Sequence, residues 1–156
     1  MKLGEGGSHV SQYSYTHRRF AVGKIAVDAG IAFAKEASAK VTILAVTEPF
    51  HLFSVNPEQV SGTRDEYEAL ASKHAAEMLA ALARKAEAEG VACQTEQVSS
   101  HEVYRAIIDQ ATHKDADLII MASHGRGGVG SLMLGSVAAK VLAHSTIPVL
   151  IYRAKK

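Results

Sequence analysis

The sequence predicts an α/β fold: a single Rossmann-like domain built on an open parallel sheet of about five strands, with helices on both faces. Three observations carry this. From Lys24 onward, short apolar runs alternate with longer stretches of helical periodicity. Two of those runs, VTILAVT at 41–47 and ADLIIMAS at 116–123, are apolar or small at nearly every position, as a strand buried on both faces requires. The length of 156 residues suits one core and not two.

A helix over 24–37 follows from Ile25, Ala29, Ala32 and Phe33 at helical spacing. The run 41–47 is the first well-formed strand, and 48–62, with two prolines, is a loop. An Ala-, Glu- and Lys-rich helix over 63–89 places Tyr67, Leu70, His74, Met78 and Leu82 on one stripe, and Gly90 stops it. Residues 91–98 alternate in the manner of a half-exposed edge strand. A helix over 101–113 takes Ser99 or Ser100 as its N-cap. The buried strand 116–123 leads into a glycine-rich loop, a helix over 136–143 and a last strand over 147–152. The place before the first helix, where such folds put an apolar central strand, holds HVSQYSYTHRRF, which is polar and basic apart from its aromatics. The domain therefore spans 1–156, with 1–23 expected to be atypical or poorly ordered.

Composition narrows the function classes. Hydrophobic residues make up 47% and charged residues 21%, ordinary for a soluble globular chain. No apolar run is long enough to cross a bilayer, and the Gly-rich start has no apolar core of a secretory signal. The single Cys93 excludes an internal disulfide and suits a reducing compartment, so a cytoplasmic location is expected. All sixteen carboxylates lie at or before Asp117; beyond it stand only Arg126, Lys140, Arg153, Lys155 and Lys156. A last quarter without carboxylates suits an anionic ligand better than a metal.

The histidines do not make a metal site. His101, His113, His124 and His144 lack HxxxH or HxH spacing, so no metal site is expected from them. No Gly-x-Ser-x-Gly elbow is present, and Cys93 reads as a structural thiol. Arg18-Arg19 and Lys155-Lys156 are too sparse for nucleic-acid binding. No enzyme is expected: a slow ATPase would need a general base or a Mg²⁺ carboxylate beside the loop, and neither is visible.

The loop Ser123–Val137, SHGRGGVGSLMLGSV, begins at the end of a buried strand, where ligands gather in open α/β sheets. Its glycines let backbone amides converge on an anion, and Gly135-Ser136 opens a helix whose N-terminus favours phosphate. Ser136 serves either as N-cap or as a hydroxyl donor to phosphate, with Arg126 the nearest positive charge. Gly125-x-Gly127-x-x-Gly130 matches the dinucleotide fingerprint in letters only, because no ribose-binding acid follows it. A Walker A loop is excluded because Gly135-Ser136 has no Lys.

The segment resembles the universal stress protein family, whose ATP-binding members carry Gly-x2-Gly-x9-Gly-Ser/Thr. Gly125-x9-Gly135-Ser136 fits that pattern, while Ala122 stands at its first glycine. The run DLIIMASHGRGG and the run LGSVAAKVLAHSTIPVLIYR are similar to the family throughout, and the similarity reaches back to about Lys24. The resemblance implies strand order 3-2-1-4-5, a homodimer often paired through the final strand, and binding of ATP or AMP, with or without Mg²⁺. By the same resemblance, Val46 meets adenine through its backbone, and Gly125, Arg126, Gly128, Gly135, Ser136 and Val137 surround phosphate and ribose. Core packing is the competing role for Val46, and a ligand-free loop the competing role for the glycines. Two functions are left open: an adenine-nucleotide-binding stress-response module, and a dimeric interaction protein of the same family that binds no nucleotide.

The family's first strand carries an Asp that contacts the nucleoside; Arg18 occupies its slot here. Codons can be chosen for Gln12–Lys24 that, read one base later, give NILIPTDGSPLAK, which has the family's strand and Asp in register. The expectation is that this stretch is read in a shifted frame, restored near Lys24. If the residues stand as written, burying a polar central strand costs free energy and nucleotide affinity falls. The nucleotide sequence of the gene checks the idea: codons whose shifted reading yields no Asp dismiss it.

Overall fold

The structure, a computed structural model, describes residues 9–15, 20–49, 61–123 and 134–153. Its elements run β1 (His9–Tyr15), α1 (Phe20–Glu36), β2 (Lys40–Thr47), α2 (Ser61–Ala88), β3 (Cys93–Ser99), α3 (Val103–His113), β4 (Leu118–Ala122), α4 (Ser136–His144) and β5 (Val149–Tyr152). The strands form one parallel sheet in the order β3-β2-β1-β4-β5.

The apolar runs of β2 and β4 determine where the core sits. Side chains alternate between faces along a strand, so an uninterrupted apolar run supplies two cores at once. Val41, Ile43 and Ala45 of β2 join Ile120 of β4 on one face, under Val27, Ile31 and Ala34 of α1 and Ala75, Leu79, Leu82 and Ala86 of α2. Leu44 and Val46 join Ile119 and Met121 on the other, under Val103, Ala106, Ile107 and Ala111 of α3 and Ala138 and Val141 of α4. The α/β class and the two covered faces expected from these runs are present.

Three helices end in the same way. In each, the second residue past the helix has positive φ: Ser38 at 53°, Gly90 at 78° and Asp115 at 50°. The next amide then reaches back five residues: Ala39 N–H to the Ala34 carbonyl at 2.8 Å, Val91 to Ala86 at 2.9 Å, and Ala116 to Ala111 at 2.9 Å. This is the Schellman bond, which satisfies carbonyls the helix end leaves free. The accompanying apolar contact lies between the same residues, all buried.

Several local expectations are corrected. Helix α1 begins at Phe20, four residues earlier than the periodicity suggests. A strand does form at His9–Tyr15 despite its polar sequence, because that stretch pairs its backbone with β2 over seven residues and with β4 over three. On α2 the buried stripe is Ala75, Leu79, Leu82 and Ala86, with Met78 partly buried; Leu70 is 54% exposed and His74 is exposed too. The buried positions 75, 79, 82 and 86 follow the 4-3-4 spacing of a single helix face, which leaves Leu70 and His74 off it. The N-cap of α3 is Glu102, without a side-chain cap bond. Ser100 acts one step earlier, its Oγ accepting the Glu102 N–H at 3.1 Å. Gly135 caps α4, and Ser136 is its first helical residue.

Truncating Leu79 to Ala is expected to destabilise the protein by about 3 kcal/mol. Leu70→Ala, on the exposed side of the same helix, is expected to change stability by no more than about 0.5 kcal/mol. Urea unfolding of both variants checks the corrected stripe; equal losses from the two substitutions would contradict it.

Candidate functional site

Parallel strands put all their carboxyl ends on one edge, and the sheet order makes one place on that edge special. The chain passes from β1 through α1 to β2 on one side, and from β3 through α3 to β4 on the other side of β1. Connections leaving the sheet in opposite directions open a crevice between the ends of β1 and β4. The described residues at that edge are Tyr15 of β1, Val46 and Thr47 of β2, and Ala122 and Ser123 at the end of β4.

The glycine-rich segment leaves from and returns to one point. Ser123, buried, donates its N–H to the Tyr152 carbonyl at 3.0 Å, which ties the strand end to β5. The carbonyl of Ser123 accepts the Gly135 N–H at 2.7 Å. That bond joins the two ends of the segment, so helix α4 starts directly beside the end of β4. Gly135 is extended at φ −62° and ψ 150°, and its carbonyl accepts the first helical bond from Ala139 at 2.9 Å. A helix start of this kind leaves the amides of Ser136, Val137 and Ala138 without intrahelical acceptors, with the positive end of the helix dipole behind them. Ser136 is exposed, while Gly135 and Val137 are half-buried.

Of the residues the sequence nominated, the structure brings Ala122, Gly135, Ser136 and Val137 to this one corner. Val46 also lies at the carboxyl edge, but its side chain is 1% exposed and belongs to the core with Leu44 and Met121. Its side chain is therefore a packing element, whereas the expected contact with adenine is through its backbone. Gly125, Arg126 and Gly128, and Arg18 at the Asp slot, lie outside the described residues. The residue that sequence reasoning missed is Ser123, whose backbone closes the loop. Its only signal was its place as the first polar residue after a buried run.

The remaining candidates disperse. His74, His101, His113 and His144 are all exposed, and among the described residues no group of three or more His, Cys, Asp or Glu is placed to hold a metal. Cys93 is half-buried at the start of β3, and burial pushes its thiol above the ordinary value, which disfavours the reactive thiolate. No helix among the described residues is long and apolar enough to cross a membrane.

Comparison with known proteins places this arrangement. The protein is 33% identical over 135 residues to the universal stress protein YxiE of Bacillus subtilis, covering 82% of this chain and 88% of that one. Among solved structures, universal stress protein UspA from Lactobacillus plantarum superposes with a TM-score of 0.77 at 17% identity, over 94% of this chain and 99% of that chain. A universal stress protein family protein from Arabidopsis thaliana, solved with AMP bound, superposes with a TM-score of 0.63 at 15% identity, over 94% and 92%. The model of the universal stress protein family matches residues 21–153, most of the chain. The chain belongs to the universal stress protein family.

Proposed function

We propose that this protein binds an adenine nucleotide, ATP or AMP, at the corner between β4 and α4, and acts in stress response or signalling by binding rather than turnover. The observation that carries the reading is the Gly135–Ser123 bond, which presents the free amides at the start of α4 at the switch point of the sheet. Phosphate oxygens suit those amides, and Ser136 offers an exposed hydroxyl beside them. Charge supports the same ligand, because no carboxylate follows Asp117 in the chain. Where ATP is the ligand, Mg²⁺ accompanies it as the counter-ion of the phosphates. A family relative of known structure holds AMP. A cytoplasmic setting agrees with the single cysteine, Cys93, whose burial disfavours the thiolate.

A second reading keeps the fold and drops the nucleotide, leaving a dimeric interaction protein. Ala122 in place of glycine, and the absence of an Asp at the end of the first strand, favour it.

Both readings include a homodimer through β5. That strand is a sheet edge paired only to β4, and its sequence VLIY carries no charge to deter pairing. Val149 and Ile151 pack into the core under α4, whereas Leu150 and Tyr152 are 42% and 39% exposed on the opposite face. On that face α1 exposes Ile25 and Phe33, on the flank away from the Asp28–Lys85 and Lys35–Glu89 ion pairs that tie it to α2. A second copy adding its own β5 would pair the open edge and cover these side chains.

Mass spectrometry of small molecules released from the purified, denatured protein is expected to find adenine nucleotide. Saturation at about a hundred times Kd adds about 2.7 kcal/mol of stability, so millimolar ATP-Mg²⁺ should raise the melting temperature. No nucleotide and no thermal shift together would favour the second reading. For the dimer, Leu150→Asp combined with Tyr152→Asp is expected to convert the protein to a folded monomer, as measured by light scattering with circular dichroism. An unchanged molar mass would remove β5 from the interface.

A further inference from the structure

We propose that α4 of one copy packs against α4 of a second copy through Ala139, Leu142 and Ala143, so that the partner braces the helix whose start forms the candidate ligand corner. The inference rests on the β5 dimer reading and adds to it a second contact and a link to the ligand site. Among the described residues, large apolar side chains are exposed at Ile25, Phe33, Leu70, Leu142, Leu150 and Tyr152. All but Leu70 belong to β5 itself or to α1 and α4, the helices that contact it on its two faces.

The direction of Leu142 follows from what the rest of α4 touches. Ala138 and Val141 are buried against the sheet. Lys140 and His144 turn toward α3, where Lys140 Nζ lies 5.2 Å from the centre of the Tyr104 ring and the His144 ring 5.4 Å from it. At about 100° per residue, Ala139, Leu142 and Ala143 therefore share the flank away from α3. All three are exposed, Leu142 to 43%. Helix α3 lies over β2 and β1, whereas α4 lies over β5, the edge strand. The flank away from α3 accordingly faces past the edge of the sheet, where an added strand would bring its own helix.

Size, charge and symmetry all select a second copy as the occupant. β5 has four residues, so its ladder alone is about 13 Å long. Stable interfaces bury on the order of 800 Å² per partner, and the faces beside so short a ladder must supply most of that. The α4 flank carries no charged side chain, so placing it against its own image costs no like-charge repulsion, and an acidic or basic partner finds nothing on it to pair with. An edge strand that pairs with its own copy creates a two-fold axis at the ladder, which turns the same flank of both copies toward each other. Ala139 and Ala143, one turn apart, let two helices approach while Leu142 fills the space between them. Helix α4 has nine residues, too few to persist in water without packing. One copy supplies that packing from the sheet and from α3; the second supplies a third side. Gly135 and Ser136 stand at the start of this helix, so its firmness is also that of the corner where the free amides converge.

Light scattering and sedimentation measure the contact. Leu142→Glu, which sets like charges against each other across the axis, is expected to raise the dimer dissociation constant at least about tenfold. Leu70→Glu, the same change at an exposed leucine of α2, is expected to leave it within about twofold. Circular dichroism checks that both variants are folded. In a Cys93→Ser background, Leu142→Cys is expected to give a covalent dimer with a short bismaleimide, and Lys73→Cys, on the exposed side of α2, is expected to give none. Hydrogen exchange of the wild-type α4 amides is expected to quicken severalfold on dilution below the dissociation constant, while exchange in α2 holds. A dimer that Leu150→Asp with Tyr152→Asp breaks but Leu142→Glu leaves intact overturns the α4 contact alone. A wild-type monomer at every concentration removes the β5 reading and this contact together. Exchange in α4 that ignores dilution overturns the brace.

Discussion

Burial of the six consecutive residues Val41–Val46 is the constraint on which the rest of the molecule depends. A strand with apolar side chains on both faces cannot sit on an open surface; it needs a helix layer above and another below. Parallel neighbours supply both, because each crossover deposits a helix on one face or the other. Pairing β2 with β1 and β3 then fixes register, since a shift by one residue would exchange its two sets of side chains between cores. The same logic in β4, where Ile119 and Ile120 face opposite layers, brings α3 and α4 under the far face. The crevice at the carboxyl edge is thus a by-product of satisfying two hydrophobic strands.

How much of this was legible in the sequence depends on the scale of the signal. The runs 41–47 and 116–123 announce the class, because no other arrangement buries both faces of so short an element. Helix faces were harder to read. Leu70 and His74 share the spacing of a buried stripe with Leu82, yet both are exposed, while Ala75, Leu79 and Ala86 join Leu82 in the core at the 4-3-4 spacing of one helix face. The cap of α3 was misread because Ser100 has the right chemistry but the backbone at Glu102 decides where the helical geometry starts; α4 begins at Ser136 as expected, and of the two roles open to that residue the N-cap falls to Gly135. The bond that closes the site could not have been read at all. It joins two backbone groups, those of Ser123 and Gly135, and backbone groups have no side-chain signature.

The two halves of the candidate site stand on different footings. On the β4 side, Ala122, Gly135, Ser136 and Val137 converge through bonds seen in the structure. On the β1 side, a polar heptapeptide occupies the middle of the sheet, its Gln12 at the register position between Ile43 and Ile120. Both of those neighbours are fully buried. A central strand contributes to both cores, so a polar sequence there opposes the very burial that organises the sheet. If the proposed nucleotide binds at this edge, stability and ligand affinity would be coupled through this one strand.

The repeated helix endings give the sheet two unlike rims. At the amino rim, Ala34–Ala39, Ala86–Val91 and Ala111–Ala116 close their turns with the same backbone bond and the same small buried pair. Such turns have little freedom in length or sequence, since one added residue would move the left-handed position off Ser38, Gly90 or Asp115. Among the described residues the opposite rim shows no repeated device, and the stretches of sequence between its strands and helices differ in length and composition. The protein is in effect clamped at one end and open to revision at the other. Descendants of this chain can change what they recognise by rewriting one rim while the second keeps the strands in step.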